Sequence, residues 1–143
     1  MNLLLALLLA TSAAASSSGG SGAAAGAQQE YLRGTLLERR GAFAEALAAY
    51  ENALSLDPGS AFLAGEAADL ALEVEDWSRA EKWARRRLEL APKDGKSQMI
   101  LARVFWSRGQ EEEAIAAVRA AGRERGAGEG VPIVVGGTHL YVK

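Results

Sequence analysis

The sequence offers few of the side chains on which catalytic chemistry depends. Its 143 residues include no cysteine and a single histidine, His139, near the C-terminus. Zinc sites draw mainly on Cys and His ligands, so one histidine without cysteine cannot build the usual site. No set of Ser, His and an acid is suggested by position either. We therefore predict a protein that is not an enzyme and holds no metal.

Two further patterns resemble ligand sites only superficially. Gly126, Gly128 and Gly130 alternate with other residues, but they lack the spacing and the preceding strand of a dinucleotide-binding loop. Glu111–Glu113 is an acidic run at the start of a predicted helix, where carboxylates complement the helix dipole. Neither pattern implies a ligand, so we expect no cofactor.

The charge balance argues against nucleic acid as a partner. The net charge is −2, whereas nucleic-acid binding needs a basic face that releases counterions. Arg85–Arg87 is a basic run on a predicted helix, and such runs are usually solvated helix faces. A hydrophobic content of 49% with only 3 prolines is typical of a helical domain rich in Ala and Leu.

The first 15 residues have the order of a secretory signal peptide. An apolar stretch, Leu3–Ala10, precedes small residues that end at Ala15. This order predicts cleavage after Ala15 and export to the periplasm or out of the cell. No Lys or Arg precedes the apolar stretch, which leaves a cytoplasmic location as the alternative. The stretch is too short for a stable transmembrane anchor.

Residues 16–26 are rich in Ser, Gly and Ala and are predicted to be a linker. This composition weakens the alternative that residues 1–15 form a helix docked on the body of the protein. No charged residue occurs before Glu30, so we expect the folded part to begin near Ala27.

A step of 34 residues is the main signal in the sequence, and it indicates internal repeats. A single pair of prolines could have this spacing by chance, but several independent positions share it. They are Pro58 and Pro92, Leu56 and Leu90, Leu54 and Leu88, the series Ala46, Ala80 and Ala114, and the series Gly34, Ala68 and Ala102.

Each copy reads as two amphipathic helices, A and B, joined by a turn. The turns are predicted at Arg40-Gly41, Glu75-Asp76 and Arg108-Gly109, and a capping box at Ser78–Glu81 is predicted to start helix B of copy two. Small residues would let paired helices approach closely, with Gly34 facing Ala46.

Such short helices gain stability by stacking on their neighbours. The predicted fold is therefore all-α, a right-handed α-solenoid of six helices. Its three repeats span 27–60, 61–94 and 95–122.

These positions resemble the tetratricopeptide repeat (TPR) family, and with the N-terminal segment they resemble an exported bacterial TPR protein. The family pattern has a small residue inside helix A, Gly before the turn, an aromatic residue after it, two alanines in helix B and a closing Pro. The matching residues are Gly34, Gly41, Phe43, Ala46, Tyr50, Ala53 and Pro58 in copy one, Ala68, Trp77, Ala80 and Pro92 in copy two, and Ala102, Gly109, Ala114 and Ala121 in copy three.

The sequence departs from the family pattern at three places. Arg87 stands where the family keeps a small residue, so either its stem turns outward or the second and third repeats pack more loosely. Glu111 replaces the aromatic residue after the third turn, and copy three has no closing proline.

The resemblance implies a scaffold that binds a peptide or another protein on the concave face lined by the A helices. The alternatives are a structural subunit that packs into a larger envelope assembly, or onto its own copy, through its third repeat and tail, and a truncated fragment of a longer TPR protein. The groove positions implied by the resemblance are Tyr31, Thr35, Glu38, Arg39, Phe62, Asp69, Leu72, Glu73, Lys96, Met99, Arg103 and Trp106.

Aromatic residues at three of these positions would suit a partner with apolar side chains. TPR proteins that clamp the C-terminal carboxylates of chaperones use a cluster of Lys, Arg and Asn in the groove. The corresponding positions here are Tyr31, Thr35, Glu66, Lys96 and Ile100. Only Lys96 fits that cluster, so we do not expect recognition of chaperone tails.

Residues 123–143 break the helical pattern. A glycine-rich start leads into an apolar run at Val131–Val135, then Gly136-Gly137 and a second apolar run at Leu140–Val142. This reads as an irregular tail with a loop and two short extended segments. The tail is expected to cover the third repeat or enter the groove; it could instead offer a strand to a partner sheet, or mark a truncation.

Overall fold

Six α-helices and one β-hairpin make up residues 18–124, 131–135 and 138–142, which are the residues that the computed structural model describes. The helices are α1 (Ser18–Arg39), α2 (Phe43–Leu56), α3 (Ala61–Glu73), α4 (Trp77–Leu90), α5 (Gly95–Ser107) and α6 (Glu111–Glu124). The strands are β1 (Val131–Val135) and β2 (Thr138–Val142). The chain divides into two compact units, of which residues 1–59 contain α1 and α2 and residues 60–143 contain the other elements.

The 34-residue step is visible in the backbone of the turns. Gly41, Glu75 and Gly109 have positive φ angles of 78°, 59° and 73°, and they fall where the sequence predicted turns. Each turn also has the same hydrogen bond, from the next residue to a carbonyl five residues earlier: Ala42 to Leu37, Asp76 to Ala71, and Gln110 to Phe105, at 2.8–2.9 Å. The repeats therefore share a backbone geometry as well as a side-chain pattern.

Three helices begin at a side-chain cap. The caps are Ser60, Asp76 and Asp94, which accept hydrogen bonds from the backbone N–H groups of Leu63, Arg79 and Ser97 at 3.2, 3.1 and 2.9 Å. The predicted capping box at Ser78–Glu81 is wrong, because the turn ends at Asp76 and α4 already begins at Trp77. Ser78 is thus inside the first helical turn.

Helix α1 begins at Ser18, within the segment 16–26 that was predicted to be a linker. Its alanines favour helix, and the helix is held against α2, since Ala27 is buried and Gly26 lies close to Leu56. The candidate signal peptide lies outside the described residues. No helix within 18–124 is both long enough and apolar enough to cross a membrane.

In the first unit, α1 and α2 approach closely at Gly34. A Cβ atom placed there would lie 2.5 Å from Cε1 of Tyr50 and 3.3 Å from the carbonyl oxygen of Ala46. The buried Tyr50 ring fills the space that the glycine leaves, and it stacks on Tyr31 with the ring centroids 5.7 Å apart. The predicted approach of Gly34 to Ala46 is confirmed, and the Tyr50 ring makes the closer contact.

In the second unit, α3 pairs with α4 and α5 pairs with α6, while α5 also contacts both α3 and α4. The core is largely alanine, which allows short distances between helix axes. The fully buried alanines are Ala64, Ala67, Ala68, Ala71, Ala80 and Ala84. Larger buried side chains, including Leu70 and Val104, fill the remaining space.

Arg87 fits into this core without turning outward. Its guanidinium lies over Gly65 of α3, where an added Cβ would come 2.8 Å from Arg87 Cζ. Its Nε lies 3.0 Å from Oδ2 of Asp94 in an ion pair, and that same carboxylate caps α5. Gly65 therefore provides the room that the family pattern normally obtains from a small residue at position 87.

The two extended segments predicted in the tail are the paired strands of an antiparallel hairpin, so this part of the tail is regular. Val131 lies opposite Val142, and Val135 lies opposite Thr138. Strand β1 also contacts α6.

Replacing Gly34 by Ala should destabilise the protein by about 1–3 kcal/mol, because the new methyl group overpacks the buried Tyr50 ring. This loss outweighs the gain of up to about 1 kcal/mol in helix propensity. The free energy of unfolding in urea measures the change.

Gly22→Ala is the matched control, since it makes the same substitution in the same helix with nothing within 4 Å of the added Cβ. It should leave stability unchanged or raise it slightly. Equal effects of the two substitutions would show that Tyr50 does not limit the approach of the helices.

Candidate partner-binding surface

The A helices of the second unit, α3 and α5, carry two aromatic side chains that were predicted as anchors. Phe62, in the first turn of α3, is 55% exposed, and Trp106, in the last turn of α5, is 51% exposed. The helices that carry them contact each other directly. Side chains of this size are normally buried, so their exposure marks a candidate contact surface.

Charged residues accompany these aromatics, with the two signs on different helices. The acidic residues Asp69 and Glu73 lie on α3, and the basic residues Lys96 and Arg103 lie on α5. Lys96 Nζ donates to Asp69 Oδ2 at 2.5 Å, while Glu73 and Arg103 are exposed. Among the residues predicted for the second and third repeats, Asp69 and Lys96 are in direct contact, and Phe62, Glu73, Arg103 and Trp106 are exposed.

Leu72 differs from the other predicted groove residues because it is only 9% exposed and contributes to the core. Trp106 lies one 34-residue step later and is exposed. The difference follows from the neighbours: α5 contacts α3, whereas no further A helix follows α5 in the described part of the chain. Met99 is intermediate, half-buried on α5.

The predicted residues of the first unit take part in contacts within that unit. The Tyr50 hydroxyl donates to Oε2 of Glu38 at 2.6 Å, and the Thr35 hydroxyl donates to the Tyr31 carbonyl at 3.0 Å. Tyr31 stacks on Tyr50, as described above. Arg39 is exposed at the end of α1.

Ion pairs connect α3 and α4 with α5 or with Asp94, the residue that caps it. They are Asp69 with Lys96, Arg87 with Asp94, and Glu81 with Arg108. The basic run Arg85–Arg87 was expected on a solvated helix face, and no sequence pattern indicated these pairs. The two partners of each pair do not lie on the same helix, so the pairs could be identified only from the way the helices pack.

Glu81 forms ion pairs with two arginines, Arg85 and Arg108. Arg85 of the same helix donates to Glu81 Oε1 from NH2 at 2.7 Å, and Arg108 donates to Oε2. The hydrogen bonds from Arg85, which have the larger effect, and from Arg108 hold the pKa of the Glu81 carboxyl below its ordinary value of 4.5.

A depression that no sequence pattern indicated opens between α4, α5 and α6. Its volume is about 640 Å³, and its lining residues are Arg85, Leu88, Glu89, Gln98, Leu101, Phe105, Glu113, Ala116 and Ala117. The Arg85 guanidinium lies over the Phe105 ring, 5.7 Å from its centroid. The described residues hold no group of three or more His, Cys, Asp or Glu arranged to bind a metal ion.

Comparisons with known proteins agree on the type of fold. Residues 37–104 match the family model of the tetratricopeptide repeat. The fold is a TPR-like all-α solenoid. The predicted fold class is thereby confirmed. A comparison with curated proteins gives no match.

Solved structures with this fold include TPR proteins of several kinds. The crystal structure of MamA is 14% identical with a TM-score of 0.65, over 69% of this chain and 58% of that one. The second TPR of Spaghetti (RPAP3), bound to the HSP90 peptide SRMEEVD, is 21% identical with a TM-score of 0.61, over 67% and 89%. The Arabidopsis OM64 TPR domain is 18% identical with a TM-score of 0.65, over 71% and 84%. At these identities the similarity establishes the fold, and this chain spans little more than half of the MamA chain.

Glu81→Gln should reduce the free energy of unfolding at pH 7 by about 1 kcal/mol, because it removes the charge that Arg85 and Arg108 stabilise. A lowered carboxyl pKa contributes stability above the ordinary value of 4.5, and this contribution is lost as the pH falls through the lowered pKa. The variant should therefore lose less stability than the wild type between pH 6 and pH 3, measured by urea unfolding.

Glu89→Gln is the control on the same helix. Glu89 forms one ion pair with Arg86, and its side chain is 64% exposed, so the change should stay within about 0.5 kcal/mol. An acid dependence of Glu81→Gln equal to that of the wild type would contradict the assignment.

Proposed function

We propose that this protein is a non-enzymatic TPR scaffold that binds a peptide or a protein through the exposed face of its A helices. The observation that supports this function is the exposure of Phe62 and Trp106 on α3 and α5. TPR-like neighbours include structures with a bound peptide.

The chemistry of α3 and α5 suggests what kind of partner would bind. Two aromatic side chains provide apolar anchors, which dominate the energy of many interfaces. The exposed charges of Glu73 and Arg103 would favour a partner that carries both signs. A segment with apolar side chains among mixed charges therefore fits this surface better than a uniformly charged one.

This partner differs from the peptide in the RPAP3 structures. The HSP90 peptide there, SRMEEVD, is acidic. Of the positions that would hold a basic cluster for such a ligand, Lys96 is paired with Asp69, and Ile100 is only 2% exposed in the core. We therefore propose a ligand class other than an acidic C-terminal tail.

Export is a separate proposal, supported by the apolar stretch Leu3–Ala10 and the small residues before Ser16. With cleavage after Ala15, the mature chain would start at Ser16, two residues before α1 begins. The protein would then bind its partner in the periplasm or outside the cell.

Intact-mass measurement of protein from the envelope or secreted fraction should give a chain that begins at Ser16. Leu5→Arg combined with Leu7→Arg should leave the uncleaved chain inside the cell, because it interrupts the apolar stretch, whereas Thr11→Ser should change nothing. A wild-type mass that includes Met1 would contradict cleavage.

The double substitution Phe62→Ala and Trp106→Ala should abolish capture of the partner from the fraction in which the protein resides. Both side chains are exposed, so helix content should be retained in circular dichroism. Binding of a captured and identified partner, measured by calorimetry, should weaken at least 100-fold, equivalent to about 2.7 kcal/mol.

Leu56→Ala is the matched control, since Leu56 is an apolar side chain of helix B that is 42% exposed. It should leave partner binding within about twofold of the wild type. Retention of binding by the double variant would place the interface on another surface.

A further inference from the structure

Two leucine side chains form an exposed apolar stripe along α1. Leu32 and Leu36 lie one helical turn apart, and each is 54% exposed. They sit in a shallow depression of about 570 Å³, and the other described residues that line it are Ala25, Gln28, Gln29, Arg33, Leu37 and Arg40. Adjacent exposed leucines on one helix face are typical of an interaction site.

The 34-residue step shows what this stripe corresponds to in the second unit. Two steps after Leu32, Leu36 and Arg40 come Ile100, Val104 and Arg108 of α5. Ile100 and Val104 are buried, and Arg108 forms an ion pair with Glu81 of α4. This side of α5 therefore faces helix B of the preceding repeat, whereas the same side of α1 is exposed.

The helix that is equivalent to α4 one step later is α6. In α6 the position of Glu81 is taken by Ile115, an isoleucine that is 42% exposed. The first turn of α6 adds three exposed carboxylates, Glu111–Glu113. The exposed end of α1 is basic, with Arg39 and Arg40. Helix α6 thus offers both an apolar side chain and the opposite charge.

We propose that α6 of one copy of this chain packs antiparallel on α1 of a second copy. Ile115 of the first copy contacts the stripe at Leu36 of the second, and Glu111–Glu113 lie beside Arg40. The packing has the same antiparallel orientation as that of α4 on α5, in which the N-terminal part of the B helix meets the C-terminal end of the A helix, as Glu81 meets Arg108.

This interface is heterologous, because it joins two different surfaces. Each association uses one α1 and one α6, and it leaves one of each free at the ends of the pair. Association therefore continues beyond the dimer, to an open chain or a closed ring. Because charges contribute to the contact, association weakens as salt rises.

Light scattering after size exclusion tests the proposal with the full-length chain over a range of concentrations. At low salt the wild-type mass should rise with concentration beyond twice the chain mass of 15.0 kDa. Leu36→Glu and Ile115→Lys should each give a monomer with unchanged helix content. An equimolar mixture of these two variants should give a 1:1 dimer and nothing larger, because each variant retains one intact surface.

Charge reversal provides a second test. Arg40→Glu and Glu112→Arg should each lower the average mass, and the double variant should recover it. Lys93→Glu, an exposed charge reversal between α4 and α5, should leave the wild-type behaviour unchanged.

Three results would overturn the proposal. One is a wild type that stays monomeric at every concentration, as it would if residues 1–17 of the same chain occupied the stripe. Another is loss of association in Leu36→Glu but not in Ile115→Lys, which would show that α1 pairs with α1. The third is a mixture of the two variants that forms no dimer.

Discussion

Close approach between helices is the constraint on which this structure depends, and small residues make it possible. In the first unit the Tyr50 ring occupies the space beside Gly34. In the second unit the Arg87 guanidinium lies over Gly65, and fully buried alanines line the remaining contacts. In both glycine contacts a large side chain of helix B is matched to a missing side chain of helix A. The packing is therefore decided by pairs of positions rather than by small residues alone.

The repeat period predicted most of the fold because it depends on local features. Turns at Gly41, Glu75 and Gly109, and helices that stop before Pro58 and Pro92, follow from backbone preferences that a sequence displays directly. The start of α1 was harder to predict, since a run of Ser, Gly and Ala is typical of linkers and only the contact of Gly26 with Leu56 shows that it is packed. The cap of α4 was misjudged by two residues for a similar reason, because both Asp76 and Ser78 are good N-cap residues.

The sequence predicted which repeat positions the candidate surface residues occupy, but not which of their side chains are exposed. Family register placed Leu72 and Trp106 in equivalent positions, yet one is buried and the other exposed, because a neighbouring A helix lies beside α3. Likewise, the sequence predicted that Glu38 binds a partner, but in the structure its carboxylate accepts a hydrogen bond from the Tyr50 hydroxyl. Exposure depends on which helix comes next, and a periodic pattern treats every copy alike. The ion pairs between Asp69 and Lys96 and between Glu81 and Arg108 help to hold α5, which carries Trp106, against α3 and α4.

Glu75 stands out among the turn residues when the repeats are regarded as coupled folding elements. Its two counterparts are glycines, which adopt a positive φ freely, whereas a side chain in this region costs about 1–2 kcal/mol. In a repeat protein, stability is approximately the sum of the terms for each repeat and for its contacts with its neighbours. The second repeat therefore depends more on those contacts than on its own turn. Separation of the second repeat from the third would remove contacts on which the second repeat depends, which makes the cooperativity of unfolding a property of their shared boundary.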